Sequence, residues 1–342
     1  YIFDEAHHLP DKVINHFSAN FRMAATERWL EQIERALTAM IAVPAMDVTA
    51  RGQLESLLTQ LIAVRRGLAP LRPLLEELLE SAEERQGSKS VRFPDGIVPD
   101  NLAAHAKNMV EGFSGVIHQA ERIIDTFQDS LDGNQLMASR EVTEQWLATV
   151  SAARFRAESA CALWRSYASD ASKEKPPNAR WMALVETGQG LFDIELNASP
   201  ILAANALKSA LWSRCYAAVL TSATLTALGS FNRFSMRAGL DSDASFEVVP
   251  SPFAHADAGE LHIPAMNCDA GNAEAHTAAL IDMLPNLMAP DAGNLVLFSS
   301  RKQLRAVREG MPADWQGRIL AQDDLPKHEI LTRHREALDK GN

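Results

Sequence analysis

Residues 1–10 read YIFDEAHHLP. Three apolar residues, Tyr1, Ile2 and Phe3, run straight into two carboxylates, Asp4 and Glu5, and then into His7 and His8. The pattern reads as a buried strand ending in a chemically loaded turn. An aspartate at such a strand end suits magnesium-assisted phosphoryl transfer, in which it holds Mg²⁺ through water while the adjacent carboxylate orients the attacking water. Neighbouring strand residues point in different directions, so Asp4 can face the metal and Glu5 the nucleophile. A solvated acidic loop is the plain alternative; the apolar run before the pair and the histidine after it weigh against that. A zinc hydrolase built on His7, His8 and His16 is the other rival. Adjacent histidines cannot both reach one metal from a regular element, however, and no H-E-x-x-H helix is present.

Outward from this stretch, the chain has the composition of an ordinary globular protein. Its 342 residues are 46% hydrophobic and 23% charged, enough for two or three domains with substantial cores. A net charge of −11 argues against a basic DNA-coating protein but leaves room for a local basic groove. No apolar stretch approaches the roughly 18 residues of a spanning helix, and no signal-peptide pattern follows Tyr1, so a cytoplasmic location is expected. Cys161, Cys215 and Cys268 lie more than fifty positions apart, which disfavours disulfides and zinc, and three thiolates alone cannot ligate an iron–sulfur cluster.

From about Met23 to Ala171 the period is helical. Trp29, Ile33, Leu37 and Met40 form one stripe; Leu54, Leu57, Leu58, Leu61 and Ile62 form a second. A helix starting near Pro73 alternates leucines with Glu76, Glu77, Glu80, Glu83 and Glu84, most simply a solvated face. The stretch RQGSKSVRFPDG is predicted to be a loop, and two long helices follow, the second over about 141–168. The segments RWMALVE and LFDIELN around TGQG predict a β-hairpin. From Ser199 onward strands (YAAVLTSA, FEVVP, GELHIPA, GNLVLFSS, GRILAQ) alternate with amphipathic helices, the signature of a parallel sheet covered on both faces. The chain opens inside one strand and stops where another is due, so truncation at both ends is expected.

A second informative stretch is VLTSATL, Val219 to Leu225. Small hydroxyl residues at the end of a buried strand lie where open α/β sheets bind ligands, and Thr221, Ser222 and Thr224 are placed to hydrogen-bond the carboxylates or His7. A helix N-cap is the plainer reading of the same hydroxyls.

Taken together, DEAHHLPD, the helical segment, LTSATLTALGSFNRFSMRAGL, SPF at Ser251–Phe253, VLFSSRKQLRAV and ILTRHREALDKGN resemble, in order, superfamily 2 helicases of the XPD/DinG type, most closely the DinG branch. The resemblance implies an α/β fold: two RecA-like parallel-sheet motor domains, both incomplete, with a large all-α arch-type insertion. Residues 1–20 and 179–265 would then belong to the first motor domain, 21–178 to the arch-type insert and 266–342 to the start of the second motor domain. It makes Asp4 the Mg²⁺-associated residue, Glu5 the activator of water, and His7 the link to motif III, Thr221, Ser222, Ala223 and Thr224. Ser299, Ser300 and Arg301 would open the second motor domain beside the nucleic acid. ATP and Mg²⁺ are the implied cofactors, and single-stranded DNA, forked or DNA–RNA structures the implied substrates, tracked 5′ to 3′ in DNA repair. A [4Fe–4S] cluster is implied upstream, outside this chain. Arg154, Arg156 and Arg165, interleaved with Phe155, Trp164 and Tyr167, are a further candidate strand-binding group, with core packing the plainer role for Trp164. No G-x-x-x-x-G-K-[ST] phosphate loop occurs in these residues, so the chain alone is expected to be inactive. The alternative from another class is a non-catalytic single-strand-binding or protein-docking module derived from a helicase.

Overall fold

The computed structural model describes residues 1–342 except 45, 81–83, 86–87, 134–137, 174, 189, 255–256, 258, 290–291, 323 and 340–342. Glu83, part of the loop expected after it, and Gln189 in the TGQG turn therefore lie outside the described residues. The chain forms two compact units, Tyr1–Glu247 and Val248–Asn342.

The first unit starts with β1 (Ile2–Phe3), a 3₁₀ turn (Ala6–His8), α1 (Leu9–Phe17) and β2 (Ala19–Arg22). The helical module follows: α2 (Met23–Ile41), α3 (Val48–Leu68), α4 (Leu71–Glu80), then, beyond β3 (Glu84–Arg85) and β4 (Ser88–Phe93), α5 (Asp100–Asp132) and α6 (Arg140–Ala168). Its packing follows from spacing. Buried residues on α5 fall at Leu102, Ala106, Met109, Phe113, Val116, Ala120, Ile123 and Phe127, alternating steps of four and three. On α6 the run Thr143, Trp146, Val150, Ala153, Ala157, Ala160, Trp164 and Tyr167 does the same. That rhythm keeps one seam facing a partner helix over the 33 residues of α5, a span of about 50 Å. On α3 and α5 the backbones come close: a Cβ on Gly112 would sit 2.9 Å from Val64 Cγ2.

A five-stranded antiparallel sheet, ordered β2-β6-β5-β4-β3, packs on these helices, with β5 (Ala179–Gly188) and β6 (Leu191–Ser199) as the expected hairpin. The segment read as a loop thus holds a strand: β4 pairs with β5 in the register Val91↔Met182 and Phe93↔Arg180. Its polar residues carry little strand signal, and the partner strand supplies the order. Phe21 of β2 meets Trp164 at 5.0 Å and Phe113 at 6.2 Å, and Phe93 of β4 meets Tyr167 at 5.9 Å, which welds sheet to helices. Burial pushes the Tyr167 phenol well up, and its hydroxyl lies 2.8 Å from the Trp181 carbonyl, to which it donates. Arg180, 2% exposed, donates to the Gly96 carbonyl at 2.7 Å, to Ser169 Oγ at 2.7 Å and to Ser166 Oγ at 3.1 Å. Gly96 itself has φ +70, and a Cβ there would lie 2.3 Å from the Asn178 carbonyl oxygen.

The rest of the first unit is a separate apolar cluster. Ala6, Ala203, Leu207, Phe234 and Ala238 form its centre, with Phe3, Leu9, Val13, Trp212, Leu220 and Leu225 packed against it. It joins β1 and α1 to α7 (Ala204–Ala210), β7 (Val219–Leu220) and α8 (Asn232–Ala238). Strands β1 and β7 are parallel, Ile2 opposite Val219 and Phe3 opposite Leu220.

The second unit contains α9 (Ala273–Leu287), α10 (Arg301–Gly310), α11 (Ala313–Gln316) and α12 (Lys327–Asp339). Asn272 and Ser300 cap α9 and α10 through their side chains. The strands expected in FEVVP, GELHIPA, GNLVLFSS and GRILAQ are not formed among the described residues, and Leu261, Ile263, Leu295 and Leu297 are more than four-fifths exposed. A parallel strand is held by hydrogen-bonded neighbours, and among the described residues of these segments the β-pairing is limited to one isolated bridge, Gln322 to Leu325. The architecture is therefore mixed α/β, with one small parallel pair and one antiparallel sheet. Among the described residues no helix is long and apolar enough to cross a membrane.

Candidate functional site

The parallel register of β1 and β7 sets Asp4 beside Thr221, because each is the residue that follows the last paired position of its strand. Backbone bonds continue past the strand ends: the Thr221 amide donates to the Phe3 carbonyl at 2.9 Å, and the Ala6 amide to the Thr221 carbonyl at 2.9 Å. Between them the chain turns sharply. Glu5 has φ 50 and ψ 40, a left-handed conformation that costs a non-glycine residue strain and clusters at functional sites. The turn lifts the carboxylates into solvent at the C-terminal end of the parallel pair, where open α/β sheets bind their ligands.

Asp4 Oδ1 accepts from the Glu5 amide at 2.9 Å and from the Thr221 hydroxyl at 3.0 Å. Its Oδ2 has no protein partner among the described residues. Ser222 is the centre of the second cluster. Its Oγ lies 3.2 Å from Glu5 Oε2, 2.7 Å from His7 Nδ1 and 3.3 Å from the Thr224 amide. His7 Nδ1 also lies 3.1 Å from Glu5 Oε2. A carboxylate only accepts, so the Ser222 hydroxyl donates to Glu5, and it accepts from the Thr224 amide. With His7 in the Nδ1–H tautomer, Nδ1 donates to the second lone pair of Ser222. Glu5 Oε1 has no protein partner among the described residues.

The structure thus brings together Asp4, Glu5, His7, Thr221, Ser222 and Thr224, with Ala223 as the spacer between the last two. What spacing could not reveal is the left-handed Glu5, since nothing in DEAH is a glycine or asparagine. His8, weighed in the sequence only as a zinc ligand, has its ring 3.8 Å, centroid to centroid, from that of His7. Among the described residues no group of three His, Cys, Asp or Glu side chains converges to hold a metal ion. A metal here would meet one protein carboxylate and take its other ligands from water or substrate.

No protein-family model matches the chain. Over 350 residues it is 27% identical to the ATP-dependent DNA helicase DinG of Photobacterium profundum, covering 100% of this chain and 48% of that protein. The DinG helicase of Salmonella paratyphi A is 25% identical over 352 residues, and that of Escherichia coli K12 is 24% identical over 356, each covering 99% of the chain and 47% of the relative. The chain is a homologue of the DinG helicases. It spans about half the length of these curated relatives.

Of the other residues singled out for a DinG-type helicase, Ser299, Ser300 and Arg301 belong to the second unit. There Ser300 Oγ accepts from the Gln303 amide at 3.4 Å and starts α10, whose Lys302 and Arg305 are exposed. Arg154 and Arg156 lie on α6. Arg154 Nη1 sits 3.0 Å from Glu158 and 3.4 Å from Glu121. Arg156 donates to the Ala25 carbonyl at 3.3 Å and stacks 5.0 Å over the Trp29 ring, where burial lowers its pKa. A DNA phosphate would have to compete with those partners. Of the interleaved aromatics, Trp164 and Tyr167 are buried, and Phe155 is exposed.

Proposed function

We propose that this chain is the central part of an ATP-dependent DNA helicase of the DinG type, hydrolysing ATP at the Asp4–Glu5 turn and passing the result to the Thr221–Thr224 segment. The observation that carries the reading is the Ser222 hydroxyl, which joins Glu5 and His7 of one strand end to the backbone of the neighbouring one. A group that shifts on Glu5 when phosphate leaves is felt directly at motif III.

In this reading the open Oδ2 of Asp4 meets the hydrated Mg²⁺ of the nucleotide, and the open Oε1 of Glu5 orients the attacking water. One carboxylate acting through water fits a hard cation that keeps most of its hydration shell, and the bound ion would offset charge developing on the phosphates. The β1–β7 pair with α1, α7 and α8 supports a RecA-like first motor domain, and the helical module supports an arch-type insert. Ser299, Ser300 and Arg301 at the start of α10 suit contact with a DNA backbone. Single-stranded DNA, or forked and DNA–RNA structures, are the proposed substrates, with 5′ to 3′ movement. With three cysteines in these residues, a [4Fe–4S] cluster of the kind the resemblance implies would need thiolates from outside them. Lacking a phosphate-cradling loop, the isolated chain is expected not to turn over ATP.

Strand displacement by the intact protein tests this reading. Duplexes bearing a 5′ single-stranded tail should be unwound in the presence of ATP and Mg²⁺, and those bearing a 3′ tail should not. Binding to single strands without any ATP-dependent displacement would favour the non-catalytic module instead.

A further inference from the structure

His8 sits at the junction of the 3₁₀ turn and α1, at the position that caps the helix. Residues there commonly accept a hydrogen bond from the first free amides, yet the His8 side chain makes no capping bond. It is also exposed, so burial does not fix its place. Successive side chains in helical backbone diverge by about 100°. Here they converge: the His7 and His8 ring centroids are 3.8 Å apart, with the planes inclined at 43°.

The consequence falls on His7. Both of its contacts to the opposite strand end and to Glu5 use Nδ1, at 2.7 Å and 3.1 Å. Swinging the side chain into another χ1 rotamer would carry Nδ1 away and abolish both. Three staggered wells are open to such a side chain. The tilted contact with the second ring exists only in the rotamer seen here, so it favours that rotamer and leaves the hydrogen bonds untouched. We propose, relying on the helicase reading for its functional consequence, that His8 is a positioning residue: its ring holds the His7 imidazole with Nδ1 toward Ser222 and Glu5. His8 touches neither nucleotide nor DNA in this role.

Two readouts on the intact protein test it. His8→Ala should lower the single-strand-stimulated kcat for ATP about three- to tenfold, the factor an aromatic contact of this kind supplies, with KM for ATP within about twofold. His8→Phe, which keeps a ring and no titratable nitrogen, should restore kcat to within about twofold of the wild-type value. Independently, ¹⁵N shifts of the His7 ring in histidine-labelled protein should report the Nδ1–H tautomer in the wild type and in His8→Phe, and an averaged state in His8→Ala. An unchanged kcat in His8→Ala, a His8→Phe as slow as His8→Ala, or identical His7 shifts in wild type and His8→Ala would overturn the role. If the wild type shows no DNA-stimulated hydrolysis, it is the helicase reading that fails, and the ring shifts alone decide whether His8 holds His7.

Discussion

Ser222 donates to Glu5, accepts from the Thr224 amide, and lies 2.7 Å from His7 Nδ1. Ser222→Ala deletes the hydroxyl's links to Glu5, His7 and Thr224 and leaves the β1–β7 register untouched, because that register rests on backbone bonds. In the intact protein this variant should lose about tenfold in DNA-stimulated turnover, the upper end of the net worth of one ordinary hydrogen bond, with nucleotide affinity little changed. Steady-state ATPase assays with and without single-stranded DNA check it, and equal stimulation in both proteins would show that Ser222 carries no signal. At this scale the sequence was readable where chemistry depends on residue type. That Asp4, Glu5, His7 and the hydroxyls of TSAT come together was legible from their residue types at two strand ends; their part in phosphoryl transfer is the proposal. The left-handed backbone of Glu5 was hidden, because its conformation follows from the turn that links Phe3 to the 3₁₀ segment.

At the level of elements, the ends of the helices in the first unit are satisfied in different ways. The residue before α2 is Arg22, which makes no capping bond. Asp193, on β6 and 3% exposed, takes that place from across the fold: its two oxygens accept from the Ala24 and Ala25 amides at 2.8 and 2.9 Å. Asp193→Ala strands two half-buried amides and removes a favourable charge at a helix N-terminus, so it should destabilise the helical module by about 1–3 kcal/mol in urea titration. Asp193→Asn should recover part of this, and a loss no larger than that of a surface substitution would contradict the assignment. The start of α3 is capped locally. Asp47 accepts from the Ala50 and Thr49 amides, and the Ala50 amide is the chief cause holding its carboxyl below the ordinary value of 3.8. A carboxyl with a lowered folded-state pKa stabilises above its unfolded value and loses that contribution as the pH falls through the folded one. The melting-point difference between wild type and Asp47→Ala should therefore be constant near neutrality and shrink below pH 3.8. A difference that persisted unchanged in acid would rule the charge out. The helices themselves were legible, since the steps of three and four on α5 and α6 are printed in their apolar residues. Strand β4 was not: Ser88, Lys89 and Ser90 have no strand preference, and the pairing with β5 is a long-range event.

For the whole molecule, the net charge of −11 means that any affinity for DNA must come from local groups, with Lys302 and Arg305 beside Arg301 as one exposed basic set. The alternation of helix and strand after Ser199 was a fair guide to segment order: α9, α10 and α12 formed where expected, and the short α11 was not foreseen. Its strands did not, because a parallel sheet is a cooperative object and a strand without a bonded neighbour has no reason to be one. The hairpin at 179–199 shows the same lesson from the other side. Its existence was local and legible, whereas its place in an antiparallel sheet on the helical module depends on β2 and β4, far away in sequence. The central claim, that residues at the end of β1 drive a DNA-dependent ATPase, is best tested in the intact protein by measuring hydrolysis with and without single-stranded DNA, in wild type and in Glu5→Gln. The account expects strong stimulation in the wild type and its loss in Glu5→Gln with ATP still bound, because the amide keeps the shape but not the charge that orients water. Undiminished hydrolysis in Glu5→Gln would contradict it.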